Sequence, residues 1–428
     1  MPASTTTLTS ADRPTSFLTG GRHARFGLFA LCWLSNYFGG MISTLLSAYL
    51  PDAVSDLVGR LDEAALSEIG SYVGALYLIG WTLGGVTFGY LGDQVGRVRA
   101  FAGTFLLYAV FTLAAGFVES WQLLVACRLL AGFGVGGTLV VSAVLVAEVW
   151  PDRTRAVALG LLAVGFPIGI MSAGIVNYLV ADWRSAFLLG ALPLGLALLA
   201  ALVLREPGRA RRAAPGVADP VGVGRFGQLF RPPHRATFLV GATIFGSMLV
   251  GIWAVFSWLP PWAQRLIGMD QDGQRQRGLL MMLLGGGGIA GGIGGGFLAN
   301  ALGRRRSLLI AFAGAFTASF LLFKTNDAFA PIIYAETAFL AVFFGISQGI
   351  LTAYVPELFP AAIRSTATGV CFNAGRVVTA GAVFFVGLLV PVLGGYGDAV
   401  FVFSLTYVLG FVAALFGKET KGVTLREL

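Results

Sequence analysis

The chain has 428 residues, 56% of them hydrophobic and only 12% charged, with 60 glycines and a mean hydropathy of +0.80. Soluble domains carry about 25% charged residues, so the composition excludes an ordinary soluble enzyme and points to an all-α polytopic membrane protein, in which glycine lets helices approach closely. Continuous rather than alternating apolar runs exclude a transmembrane β-barrel. The net charge of +8 comes largely from arginines in short loops between apolar runs, the pattern of membrane topology rather than of a nucleic-acid partner.

Residues 1–25 read as a polar, Thr/Ser-rich tail with no signal peptide. Six apolar runs follow, at 26–50, 69–91, 100–117, 122–147, 156–180 and 185–204. Six more lie at 236–260, 277–301, 307–325, 330–354, 365–390 and 397–417, each long enough for a hydrocarbon core of roughly 30 Å. The expected organisation is a six-helix bundle over 26–204, an arginine-rich linker at 205–235, a second bundle over 236–417 and a tail at 418–428. With the N-terminus inside, twenty-one Lys and Arg fall in cytoplasmic segments and six outside, which predicts cytoplasmic termini. Arg277 is counted among those outer residues, and Arg128 and Arg376 fall inside spans. Cys32, Cys127 and Cys371 lie within apolar runs and read as small apolar residues, with no disulfide and no metal site. Neither a Walker-type phosphate loop nor a metal cluster appears, so no enzyme, cofactor or ATP-driven pump is expected.

Two motifs repeat. Gly89-Tyr-Leu-Gly-Asp-Gln-Val-Gly-Arg-Val-Arg99 is echoed 207 residues later by Gly296-Phe-Leu-Ala-Asn-Ala-Leu-Gly-Arg-Arg-Arg306, with Gly96 matching Gly303 and Asn300 replacing Asp93. Glu148-Val-Trp-Pro-Asp-Arg-Thr-Arg155 is echoed 209 residues later by Glu357-Leu-Phe-Pro-Ala-Ala-Ile-Arg364. Near-equal offsets at corresponding span ends argue for duplication of a six-helix unit.

In these motifs the sequence resembles the major facilitator superfamily of secondary transporters. Residues 89–99 look like its signature loop, and Arg128-Leu-Leu-Ala-Gly-Phe-Gly-Val-Gly-Gly137 is similar to its fourth-span motif. Trp183-Arg184 and the tail Glu419-Thr-Lys-Gly-Val-Thr-Leu-Arg-Glu427 resemble its sugar-porter and organic-acid branches. The resemblance covers nearly the whole chain and implies twelve helices in two pseudo-symmetric halves, with cargo bound between them. Pro356-Glu-Leu-Phe-Pro360, Asn373-Ala-Gly-Arg376 and Trp253-Ala-Val-Phe-Ser-Trp-Leu-Pro260 look most like organic-acid and metabolite proton symporters. The aspartates such symporters often carry in span 1 are absent from Ser35-Asn-Tyr-Phe-Gly-Gly-Met41. The resemblance further implies that Asp93 acts as a gate latch toward Arg155 or the helix after Arg364. Arg97 lies one turn from Asp93, and Glu148, Arg155, Glu357 and Arg364 are expected as partner charges of the gates, or as helix-end anchors.

Arg376 falls near the middle of its span, where an unpaired charge costs several kcal/mol. It is expected to face a central cavity and meet a carboxylate with its planar fork, assisted by Asn373 one turn earlier; a structural pair is the alternative. Arg128 reads as a cavity arginine near an anionic cargo or proton path, or as one snorkelling outward. Glu336, adjacent at the repeat offset to the counterpart of Arg128, is the candidate proton-coupling carboxylate, with an exposed outer-edge position as the alternative. Asn36, Tyr37, Trp253, Trp258 and Gln348 are candidate cavity liners. The expected activity is alternating-access transport by a monomer in a bacterial-type inner membrane, with proton-coupled uptake of a small organic anion as the leading reading. A sugar or polyol carrier, a drug exporter and a non-transporting sensor are the alternatives.

Overall fold

The computed structural model describes residues 22–59, 62–204, 227, 229–360 and 363–421, leaving out the side chains of 22, 23, 93, 152, 153, 156, 365 and 366. Thirteen helices are described below. The first half contains α1 (Arg22–Val58), α2 (Glu63–Val95), α3 (Arg97–Ala115), α4 (Trp121–Val149), α5 (Asp152–Leu179), and the pair α6 (Trp183–Leu188) and α7 (Ala191–Val203), which share one span. The second contains α8 (His234–Ile267), α9 (Gln274–Leu302), α10 (Arg304–Lys324), α11 (Ile332–Glu357), α12 (Arg364–Leu393) and α13 (Tyr396–Leu415). Among the described residues, twelve spans are long and apolar enough to cross a membrane. α1 and α8 start at one end of the bundle, here the base, and successive spans alternate in direction. The α1–α2 and α8–α9 connections therefore lie at the other end, the crown.

Several helices outrun their apolar runs. The apolar run at 26–50 stops before Pro51-Asp52, yet α1 continues through Pro51 to Val58. Asp56 explains part of the extension. Its carboxylate accepts hydrogen bonds from Trp183 Nε1 at 3.1 Å and Arg184 Nε at 3.0 Å, so the last turn of α1 is fastened to α6. Likewise α9 begins at Gln274 and takes in Arg277, which is buried at 1% exposure rather than standing in an outer loop.

The repeated motifs adopt matching backbones. Gly96 and Gly303 are the residues between α2 and α3 and between α9 and α10, with φ/ψ of 108°/147° and 93°/163°. Only glycine visits this region at low cost. The glycine run of α9 serves close approach. A Cβ added at Gly278 would lie 2.8 Å from the Gly174 carbonyl oxygen of α5, and one at Gly295 2.8 Å from the Ile346 carbonyl oxygen of α11. One helix thereby packs against its own half and against the other.

Further contacts between the halves lie toward the crown. Tyr72 of α2 meets Phe384 of α12 edge-on at 5.6 Å, and Trp258 of α8 is fully buried against Gly70 of α2 while donating to the Val383 carbonyl at 3.3 Å. Trp258 is thus a packing wedge between helices and not a cavity liner. Gln274 Nε2 donates to the Asn177 and Val180 carbonyls, Arg265 pairs with Glu63 at 3.0 Å, and Arg277 pairs with Asp52.

Replacing Gly303 with alanine should destabilise the fold by about 1–3 kcal/mol, and the added methyl would also press on the Glu419 carboxylate. Thermal unfolding of detergent-purified protein checks this; an unchanged midpoint would contradict the strain assignment.

Candidate functional site

Arg376 sits close to the middle of α12, partly exposed. Its Nη1 donates to Asn373 Oδ1 at 3.3 Å, and among the described residues no carboxylate pairs with it. Asn373 in turn donates to the Gly369 carbonyl at 2.9 Å, which holds its oxygen toward the guanidinium. The neighbouring Gly375 abuts Phe245 and Gly246 of α8, and Phe372 stacks on Phe245 at 4.1 Å. The helix face bearing Arg376 is therefore set by close α8–α12 packing.

A chain of rings crosses between the halves. Trp81 of α2 meets Trp253 of α8 edge-on with centroids 5.3 Å apart, and meets Phe166 of α5 at 5.5 Å. Trp253 continues to Phe256 at 5.8 Å, and Phe256 to Phe344 of α11 at 5.5 Å. Tyr77, one turn from Trp81, adds contacts at 5.9 Å to Trp81 and 6.5 Å to Trp253. Trp253 belongs to this layer, as do four rings that carry no motif of their own. The i,i+4 pair Tyr77 and Trp81 was visible in the sequence, but nothing there told a core stripe from a cavity wall.

Arg128 lies behind that layer. It is buried at 3% exposure, with its guanidinium carbon 4.1 Å from the centre of the Tyr77 ring. Nη1 donates to the Ile42 carbonyl at 2.8 Å and Nη2 to the Ser43 carbonyl at 3.1 Å, while Ser43 Oγ and Tyr77 Oη lie 2.6 Å apart. The residue neither snorkels outward nor pairs with Glu336; it ties α4 to α1 and α2. Glu336 is in the second turn of α11, where its carboxylate accepts from Asn326 Nδ2 at 2.6 Å in the α10–α11 connection. The approach expected from the repeat fails because α11 starts only at Ile332, which leaves Glu336 near the crown rim. Asn36 also turns to structure: at 4% exposure its Nδ2 donates to Ser142 Oγ and the Cys32 carbonyl, both at 2.8 Å. Tyr37 is half-buried and stacks on Trp33 at 5.8 Å, and Gln348 is exposed one turn below Phe344.

The base carries two matching buckles. Arg97 pairs with Glu148 at 3.1 Å, and Arg304 pairs with Glu357 at 3.2 Å. Arg155 donates to the Trp150 carbonyl at 3.4 Å, and Arg364 donates to the Phe359 carbonyl at 3.1 Å. Each glutamate thus meets the arginine of its glycine turn. The side chain of Asp93, the expected latch, lies outside the described residues. The second half carries a further feature. The tail carboxylate Glu419 accepts the backbone N–H of Arg304 at 2.9 Å and of Arg305 at 3.2 Å at the start of α10. Thr420 donates to Glu357, Tyr354 Oη to the Lys418 carbonyl, and Lys421 Nζ to the Ala301 carbonyl. Partial burial of Glu419 favours its protonated form, but the N–H groups of Arg304, Lys421, Arg305 and Thr420 outweigh that and hold its carboxyl below the ordinary value.

Two halves of six spans each, related by sequence repeat and joined by a ring layer that crosses between them, have the architecture of a secondary transporter. The Major Facilitator Superfamily model matches residues 26–383, and the chain belongs to that family. It is 30% identical to the cis,cis-muconate transport protein of Acinetobacter baylyi, over 81% of this chain and 84% of that one. It is 27% identical to the niacin transporter NiaP of the same species, over 94% and 96%. The inward-open structure of the xylose transporter XylE from E. coli shares the fold, with a TM-score of 0.74 at 19% identity over 94% of this chain and 99% of that one.

The tail buckle has a pH signature. A carboxyl held low in the folded state contributes its stability above its unfolded value, near 4.5, and loses it as pH falls through the folded value. Glu419→Gln should therefore be less heat-stable than wild type at neutral pH, with the gap narrowing below about pH 4.5. Melting curves between pH 3.5 and 7.5 test this, and a constant gap would count against the buckle.

Proposed function

We propose that the protein carries a small planar carboxylate, aromatic or conjugated, across a bacterial inner membrane by alternating access, together with a proton. The observation that carries this reading is Arg376. A guanidinium near the middle of a membrane span needs polar partners, and this one has Asn373 alone among the described residues. A carboxylate would supply two acceptors in the plane of the fork. The ring layer of Trp81, Trp253 and Phe256 favours a flat π-system in edge or offset contact over a saturated one. The names of the relatives, for muconate and niacin, agree with a flat unsaturated acid.

The placement of Lys and Arg supports a cytoplasmic base and termini. In that orientation the described ties between halves lie on the outer side, which supports reading this conformation as inward-facing. Protons enter the reading through energetics. At an inside-negative potential of 100 mV, importing one negative charge costs about 2.3 kcal/mol, and a proton moving with each carboxylate removes that cost. The proton is not assigned to Glu336, whose carboxylate is engaged at the crown rim. Asp93 with its neighbours remains the proposed base-side latch, and the carrier is proposed to work as a monomer.

Uptake of labelled niacin and muconate into proteoliposomes tests the reading. Arg376→Ala should lower uptake about 10–100-fold, the worth of a charged hydrogen-bonded contact, and Arg376→Lys should recover part of it, since a point charge replaces the fork. Wild-type uptake by Arg376→Ala would remove its assigned role. Competition by neutral sugars instead of carboxylates would replace the cargo class, and uptake indifferent to a pH gradient would remove the proton.

A further inference from the structure

At the crown, a polar crevice of about 420 Å³ opens between the halves, lined by Pro51, Asp52, Ser55 and Asp56 of α1 together with Gln264, Gln271, Asp272 and Arg277. Its floor is Arg277, with 1% of its side chain exposed. Nε donates to the Ala48 carbonyl at 3.0 Å, Nη1 donates to Gln264 Oε1, and Nη2 pairs with Asp52 Oδ2 at 2.5 Å. Three groups, from one helix of each half, thus converge on one guanidinium. Asp52 keeps 35% of its side chain exposed to the crevice, so a proton can reach it from the crown-side medium without passing through the bundle.

The surroundings single out this pair. Arg265 and Glu63 also join the halves at the crown, but both are more than a third exposed, where ion pairs are screened and weak. Asp56 is occupied within its own half by Arg184 at 2.9 Å. Asp272 accepts the Gln274 N–H at 3.0 Å, and Asp182 caps α6 by accepting from Ser185. On α1 itself, Tyr49 Oη donates to the Val180 carbonyl at 2.6 Å. Among the described residues, the charged and titratable groups around Asp52 are therefore Arg277 from α9, Asp272 from the α8–α9 connection, Asp182 before α6, and Tyr49 and Asp56 on its own helix. Among them Arg277 alone is cationic and directly paired with Asp52. Protonating Asp52 removes the charge that ties α1 to α9 while adding nothing in its place.

We infer that the Asp52–Arg277 pair is the crown gate of the transport cycle, and that protonation of Asp52 from the crown-side medium releases it. Closure and ionisation of Asp52 favour one another, so protonation and opening are linked reciprocally. Acid on the crown side then shifts the population toward the crown-open state. The direction of transport in the proposed function gives the gate its physiological sense, but the gate itself requires no particular cargo.

The test is a distance measurement without cargo. Spin labels are placed at Ser55 and Gln271, on either side of the crevice, in a background with Cys32, Cys127 and Cys371 replaced by alanine. Wild type should show a short-distance population at pH 7.5 that gives way to a longer one as the pH is lowered. Asp52→Asn should lower the closed-to-open ratio at pH 7.5 about 5–150-fold, the usual range of coupling between sites, and should lose the pH response. Asp52→Glu keeps a carboxylate and should retain the response with a moved midpoint. A wild-type distance distribution and pH response in Asp52→Asn would overturn the gate; if that variant does not fold, an unmoved midpoint in Asp52→Glu would do so. Failure of carboxylate uptake leaves these distances unaffected, so the cargo reading and the gate fail separately.

Discussion

A guanidinium inside an apolar slab has to be met by other polar groups, and it cannot escape by shedding its proton. Three arginines face that constraint here, and their partners separate their roles. Arg128 is met by two carbonyls of α1 and the face of Tyr77, all within the first half. Arg277 is met by a carboxylate, a carboxamide and a carbonyl drawn from both halves. Arg376 is met by one asparagine oxygen. The first arrangement holds in any state of the halves, the second holds only while the crown is closed, and the third leaves donors for a visiting acceptor.

These roles fall where the repeat is broken. The base buckles Arg97–Glu148 and Arg304–Glu357 are related by the duplication, and the glycine turns before their arginines share one backbone state. Such symmetric features preserve each half as a unit. By the 209-residue offset that relates Arg155 to Arg364, Arg376 corresponds to Pro167 and Asp52 to Pro261, so neither has a charged counterpart. Because α1 and α8 start at the same end, two identical halves would set the same groups facing one another across each end of the channel. Asymmetry in charge is what lets a carboxylate of one half meet a guanidinium of the other at the crown.

The twelve spans and the duplication were legible because both depend on pattern alone: an apolar run of sufficient length, and a glycine turn that permits no substitute. The mid-span position of Arg376 beside Asn373 was legible because a charge there is anomalous wherever it packs. Asp52 was not, since Pro51-Asp52 after an apolar run reads as a loop, and only the attachment of Asp56 to Trp183 and Arg184 shows why the helix continues. Arg277 read as one more loop charge for the same reason. Glu336 and Asn36 carried the right chemistry, but short-range partners such as Asn326 and Ser142 claim them. Those partners lie on other elements, and spacing within one helix cannot reveal them.

The closeness of α5 and α9 gives the crown tie its importance. Gly174 meets Gly278 with no side chain between the backbones, so the two halves cross there without interlocked ridges. A surface of that kind can roll or slide with little loss of van der Waals contact until the helices part. Closure at the crown then depends on directional ties, and the exposed pair of Arg265 and Glu63 supplies little, roughly 0–1 kcal/mol for pairs of its kind. Gln274 adds hydrogen bonds to the Asn177 and Val180 carbonyls, and the buried charge in the closed arrangement is that of Arg277, whose burial is tolerable only while Asp52 and Gln264 stay in place. Opening must bring water to that guanidinium as its partners leave, and the polar crevice above it is the path by which water arrives.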